Sequence, residues 1–92
     1  SEERFNALYF IKDYAFRKNG FCIEEDEMKL LCKIFYEEGE PGNLEDLKEL
    51  YRILKKVTDQ ARTLEITNKK EIVTMCRKRF GEKVGKAFFL WK

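Results

Sequence analysis

The chain has 92 residues, 43% of them apolar and 39% charged, with a formal net charge of +2. That is enough apolar material for one small core, and the expected organisation is a single helical domain over residues 1–92, without separate catalytic and regulatory parts. The longest apolar runs, such as Ala87-Phe88-Phe89-Leu90-Trp91, are far shorter than the about 20 residues a membrane helix needs, so no span is expected.

Glycine and proline divide the sequence into stretches of helical length. Residues 3–18 place Phe5, Leu8, Tyr9, Ala15 and Phe16 along one helix face, and Asn19-Gly20 ends that helix because both residues tolerate the left-handed conformation. Residues 24–38 open on Glu24-Glu25-Asp26-Glu27, a run suited to the positive end of a helix dipole. Met28, Leu31, Cys32 and Phe35 form the stripe of this second helix, and Leu30 and Ile34 widen it, which predicts a central position. Residues 38–42 read as a loop, with Asn43 as cap of the next helix.

From Leu47 the apolar residues Leu47, Leu50, Leu54, Val57, Ala61 and Leu64 repeat in heptad spacing. Such a seam packs inside a bundle or, as the lesser alternative, against a second copy in a coiled coil. Thr67-Asn68 caps a fourth helix that is expected to stop at Gly81. A fifth, from Glu82 to Trp91, carries Val84, Ala87, Phe88 and Trp91 on one face, with Trp91 docked to tie down the chain end. The expected fold is all-α, a compact bundle of four to five short helices.

Charge is unevenly spread. Residues 1–66 hold eleven bases against fifteen acids, whereas residues 67–92 hold eight against two. Either the basic end folds back on the acidic second helix and is neutralised, or it stays free to meet a polyanion. In the second case Lys69, Lys70, Arg77, Lys78, Arg79, Lys83 and Lys86 form a candidate nucleic-acid surface, which needs only cations that follow a phosphate backbone.

Phe10 and Tyr14 lie one turn apart, opposite the main stripe of the first helix. The ordinary explanation seats them between two other helices. Left exposed with Arg17 beside them, they form an aromatic and arginine anchor of the kind that dominates protein binding energy. Phe89 and Leu90 point away from the packed face of the last helix and extend the candidate groove.

Enzyme chemistry finds little to work with. Histidine is absent and serine occurs only at Ser1, which removes the commonest general base and the commonest hydroxyl nucleophile. Acid pairs such as Glu24 with Glu27 and Glu37 with Glu40 have helical spacing but no differently tuned environments. No phosphate-binding glycine loop occurs, and the three cysteines, Cys22, Cys32 and Cys76, lack metal-ligand spacing, so no cofactor and no metal are expected. Each cysteine sits beside apolar residues as a small buried hydrophobe, which fits a reducing, intracellular setting, cytoplasmic or nuclear.

Over Leu44 to Arg79 the run LEDLKELYRILKKV, then Leu64, Thr67, Val73 and CRK, resembles the N-terminal helical domain of eukaryotic transcription elongation factors, and Val84 and Trp91-Lys92 echo its ending. The resemblance implies a small bundle that docks disordered peptide motifs. Where that family has a Pro-x-Thr turn and an Ile-Gly pair, this chain has Thr58-Asp59-Gln60 and Lys69-Lys70, and the predicted last helix is about a turn shorter. No binding residue is carried over.

The functional expectation is a non-catalytic interaction module that holds a protein partner through an apolar and aromatic groove. Polyanion binding by residues 67–92 is the alternative.

Overall fold

A computed structural model describes residues 1–36 and 39–90, the side chain of Leu90 excepted. The described residues form an all-helical bundle without strands: α1 (Glu2–Lys18), α2 (Glu25–Leu30) running directly into a π turn (Leu31–Phe35), α3 (Leu44–Thr63) and α4 (Lys69–Leu90). The elements start and stop for local reasons. Ser1 Oγ accepts from the Arg4 amide at 3.2 Å and caps α1. At the far end Gly20 adopts φ +92°, which brings the Gly20 amide to the Arg17 carbonyl (3.1 Å) and the Phe21 amide to the Phe16 carbonyl (2.9 Å). The Phe16 and Phe21 rings then meet at 5.3 Å, completing a Schellman closure that turns Phe21 into the core.

The second helix is central, as its sequence implies, but it does not remain α-helical. From Leu31 it widens, and the Tyr36 amide donates to the Leu31 carbonyl at 3.0 Å, five residues back. The consequence is packing on nearly every side: Leu31, Cys32, Ile34, Phe35 and Tyr36 are all buried, and only Lys33 of this stretch is exposed. Neighbours from α1, α3 and α4 surround it. The helix expected over residues 24–38 therefore ends as a π turn at Phe35. Beyond it, Gly39 lies against the turn so closely that a Cβ would fall 2.8 Å from the Lys33 carbonyl carbon and 3.0 Å from Ile34 Cα. Only glycine allows that approach.

Asn43 Oδ1 accepts from the Asp46 amide at 2.8 Å, the cap expected for α3. The seam residues Leu47, Leu50, Leu54, Val57 and Ala61 are buried, with Leu64 half-buried, so the seam belongs to the chain's own core and is not offered to a second copy. Ile53, off the seam, is fully buried as well, because α3 packs against both the π turn and α4. A side-chain latch holds the preceding linker to α3. Gln60 Oε1 accepts from the Cys22 amide (2.8 Å) and Gln60 Nε2 donates to the Cys22 carbonyl (2.9 Å), so one amide satisfies both polar groups of an irregular residue.

The break expected at Gly81 does not occur. α4 is one helix from Lys69 to Leu90 and passes through both Gly81 and Gly85. Each glycine costs about 1 kcal/mol of helix propensity, but the inner face of Cys76, Lys83 and Ala87 is buried, and packing of that face outweighs the local cost. Both glycines are exposed, and a Cβ at either would meet nothing within 4 Å. Gly81→Ala and Gly85→Ala should therefore each stabilise the fold by about 0.5–1 kcal/mol, read as a raised urea midpoint with an unchanged m-value. A fall in the midpoint would contradict the continuous helix. No described helix is long and apolar enough to cross a membrane.

Candidate protein-binding face

Among the described residues, α1 is the one helix with no buried residue. At about 100° per residue, Phe5, Leu8, Tyr9 and Phe16 fall on one side, and these are the half-buried residues that hold α1 against the core. On the other side lie Glu3, Ala7, Phe10, Ile11, Tyr14 and Lys18, all exposed. Phe10 is 72% accessible, and Ile11 and Tyr14 are each 60% accessible. The ordinary expectation for Phe10 and Tyr14, a place between two other helices, is therefore not met: α2 and the π turn occupy only the inner side of α1. Ala15, assigned to the inner stripe from spacing, is exposed too. Arg17 flanks the outer face and is held by Asp13, with Nε 3.0 Å from Oδ2, which also raises the guanidinium pKa above its ordinary value. Lys18 Nζ stands 5.9 Å from the centre of the Tyr14 ring, a cation over an aromatic face.

Ile11 was missed by sequence reasoning, although it adjoins Phe10. The signal was present in the spacing, since residues 7, 10, 11 and 14 share one side of a helix. At the other end of the chain Phe88 and Phe89 are both strongly exposed, so Phe88 does not join Val84 and Ala87 on the packed face. The side chain of Leu90 and all of Trp91 lie outside the described residues.

The basic residues are not one surface. Lys83 is buried and donates to the Gly39 carbonyl, and burial lowers its pKa. Lys86 pairs with Glu40 at 3.5 Å, so these two cations pin the 39–42 loop beneath α4. Arg79 lies 5.7 Å from the Phe35 ring, and Lys69 Nζ donates to the Arg62 carbonyl at 3.3 Å, closing the end of α3. Lys70, Arg77 and Lys78 remain exposed. Arg62, which the linear pattern did not single out, joins Lys69, Lys70 and Arg77 around a hollow with Val73 and Thr74, because the short connection 64–68 folds the two helix ends together.

Among the described residues, no ion pair joins α4 to α2. Instead, α2 is balanced by α3: Glu27 takes Lys56 Nζ at 2.7 Å and Arg52 at 3.0 Å. The thiols are placed for packing, with one exception. Cys32 and Cys76 are buried, and burial pushes the Cys32 thiol up to about 11 and that of Cys76 in the same direction, which keeps both protonated at neutral pH. Cys22 is exposed, contrary to expectation.

No protein-family model matches the chain, and no curated protein or solved structure shows significant similarity to it. The likeness of residues 44–79 to the elongation-factor domain thus stays a likeness of leucine- and lysine-patterned helices, and α3 runs unbroken through Thr58-Asp59-Gln60 where that family has its turn.

Proposed function

We propose that this chain is a non-catalytic helical interaction module that holds a protein partner on the outer face of α1. The observation that carries the reading is the contiguous exposure of Phe10, Ile11 and Tyr14 on a helix whose opposite side docks to the core. Together they present on the order of 400 Å² of mainly apolar surface, the size of the largest patch on a typical monomer, which is often functional. Two rigid aromatics rimmed by Arg17 and Lys18 have the composition of an interface centre. The unpaired cysteines fit a reducing intracellular compartment.

Binders selected from a displayed protein library on the immobilised chain test the reading. Phe10→Asp should weaken the selected interaction by about thirtyfold or more while leaving helical circular dichroism unchanged, because the side chain supports no part of the core. Reversal of Arg77 and Lys78 should change affinity by less than about threefold. The opposite pattern would discard this reading in favour of polyanion binding, for which the cluster of Arg62, Lys69, Lys70 and Arg77 is the specific support. Polyanion binding would also fall steeply between about 50 and 200 mM salt.

A further inference from the structure

The outer face of α1 has an internal order that a generic sticky patch lacks. Its six residues run Glu3, Ala7, Phe10, Ile11, Tyr14, Lys18. Laid against itself in the reverse direction, the row sets Glu3 opposite Lys18, small Ala7 opposite large Tyr14, and Phe10 opposite Ile11. Acid meets base at both ends, small meets large in between, and the centre is wholly apolar. Laid in the same direction, it would set Glu3 on Glu3 and Lys18 on Lys18. The reversed pairing also follows the helix dipoles, since α1 carries Glu2 and Glu3 in its first turn and Arg17 and Lys18 in its last.

We infer that α1 pairs with α1 of a second copy, antiparallel and about a two-fold axis near Phe10 and Ile11, giving a homodimer. This inference rests on the reading of the outer face of α1 as a protein-binding surface and names its occupant. Level with Ile11 of the other copy along the helix, Phe10 meets its own symmetry mate across the axis on one flank of the contact, and Ile11 meets its mate on the other flank. The ends are closed by Glu3 against Lys18, with Arg17 on the same flank as Glu3 and the exposed Arg4 on the same flank as Lys18, where it offsets part of the gain. Such an interface uses one patch twice and stops at two copies. A helix of 17 residues is about 25 Å long, so the contact is at the small end of specific interfaces, and dissociation in the range of tens of micromolar is expected. The heptad seam of α3 plays no part, being spent inside the core.

Sedimentation of the whole chain between about 5 and 300 μM at low salt is the test, with the concentrations chosen to bracket that dissociation constant. The weight-average mass should rise towards twice the monomer value, and Phe10→Asp should remain monomeric with its helical content intact. Glu3→Lys and Lys18→Glu should each weaken pairing by about fivefold or more, because each sets like charge against like at both ends. An equimolar mixture of these two variants should pair at least as well as the wild type, since every end contact is again acid to base. Wild-type chain that stays monomeric at every concentration, Phe10→Asp that pairs like wild type, charge variants that pair undiminished, or a mixture no better than its components would each overturn the antiparallel dimer. Where the chain stays monomeric yet binders selected on it still depend on Phe10, the self-pairing alone is lost. Where that dependence is absent too, both readings are lost.

Discussion

Phe35→Ala is expected to destabilise the fold by about 3–5 kcal/mol, a large part of the about 5–15 kcal/mol available to a domain. Phe35 is essentially inaccessible and closes the π turn around which the other helices pack. Its ring meets that of Tyr36 edge-on at 5.2 Å and lies under the Arg79 guanidinium. It also lines, with Phe16, Phe21, Leu31, Leu54 and Ile72, an apolar cleft of about 170 Å³ between α1, the π turn, α3 and α4. Deleting the ring enlarges an existing space whose walls come from several elements. Collapse is therefore hindered and the cost lies towards the upper end of the range. Urea unfolding measures the loss, and a change below about 1 kcal/mol would show that the π turn is not the centre of the core. Because α1 buries no residue of its own, its amides should gain exchange more than those of α3 in this variant, and the candidate binding face should loosen with them.

Where one helix packs on one side, the sequence told the fold plainly. The seam from Leu47 to Ala61, the Asn43 cap and the Asn19-Gly20 stop are all found as expected, because each depends on residues within a turn or two of one another. Ile53 escaped the seam pattern because a helix enclosed by several neighbours buries residues off its main face, and one sequence does not reveal the neighbours. The break expected at Gly81 fails for the opposite reason: propensity is local, and a long helix with a packed inner face overrides it. At the candidate site, Phe10 and Tyr14 were legible as residues off the core stripe. Whether another helix covered them depended on topology. The basic residues of α4 read as one surface only in one dimension; the fold turns Lys83 inward, gives Lys86 to Glu40 and brings in Arg62 from another helix.

Glu27→Ala is expected to cost about 2–3 kcal/mol, less than the about 3–5 kcal/mol of breaking a fully buried ion pair, since Arg52 and Lys56 retain access to water once the carboxylate is gone. In the sequence Glu27 is one acid in a run of four at a helix start. In the fold it is 4% exposed, and three donors converge on it: Lys56 Nζ at 2.7 Å, the Glu24 amide at 2.8 Å and Arg52 at 3.0 Å. Burial pushes its pKa up, but the bonds from Lys56, the Glu24 amide and Arg52 outweigh burial and hold it below the ordinary carboxylate value. The sign of the pH dependence follows. An unfolded glutamate takes up its proton near pH 4.3, while the folded Glu27 resists it to lower pH. Its contribution to stability is therefore fully present above that unfolded value and is lost as the pH falls through the folded one. Glu27→Gln keeps an acceptor for the Glu24 amide and removes only the charge. The difference in unfolding free energy between wild type and Glu27→Gln should be constant from about pH 7 to 5 and then narrow towards pH 3. A difference that does not narrow would mean that the ion triad is not what ties α2 to α3, and that the acidic run acts only through the dipole of its own helix.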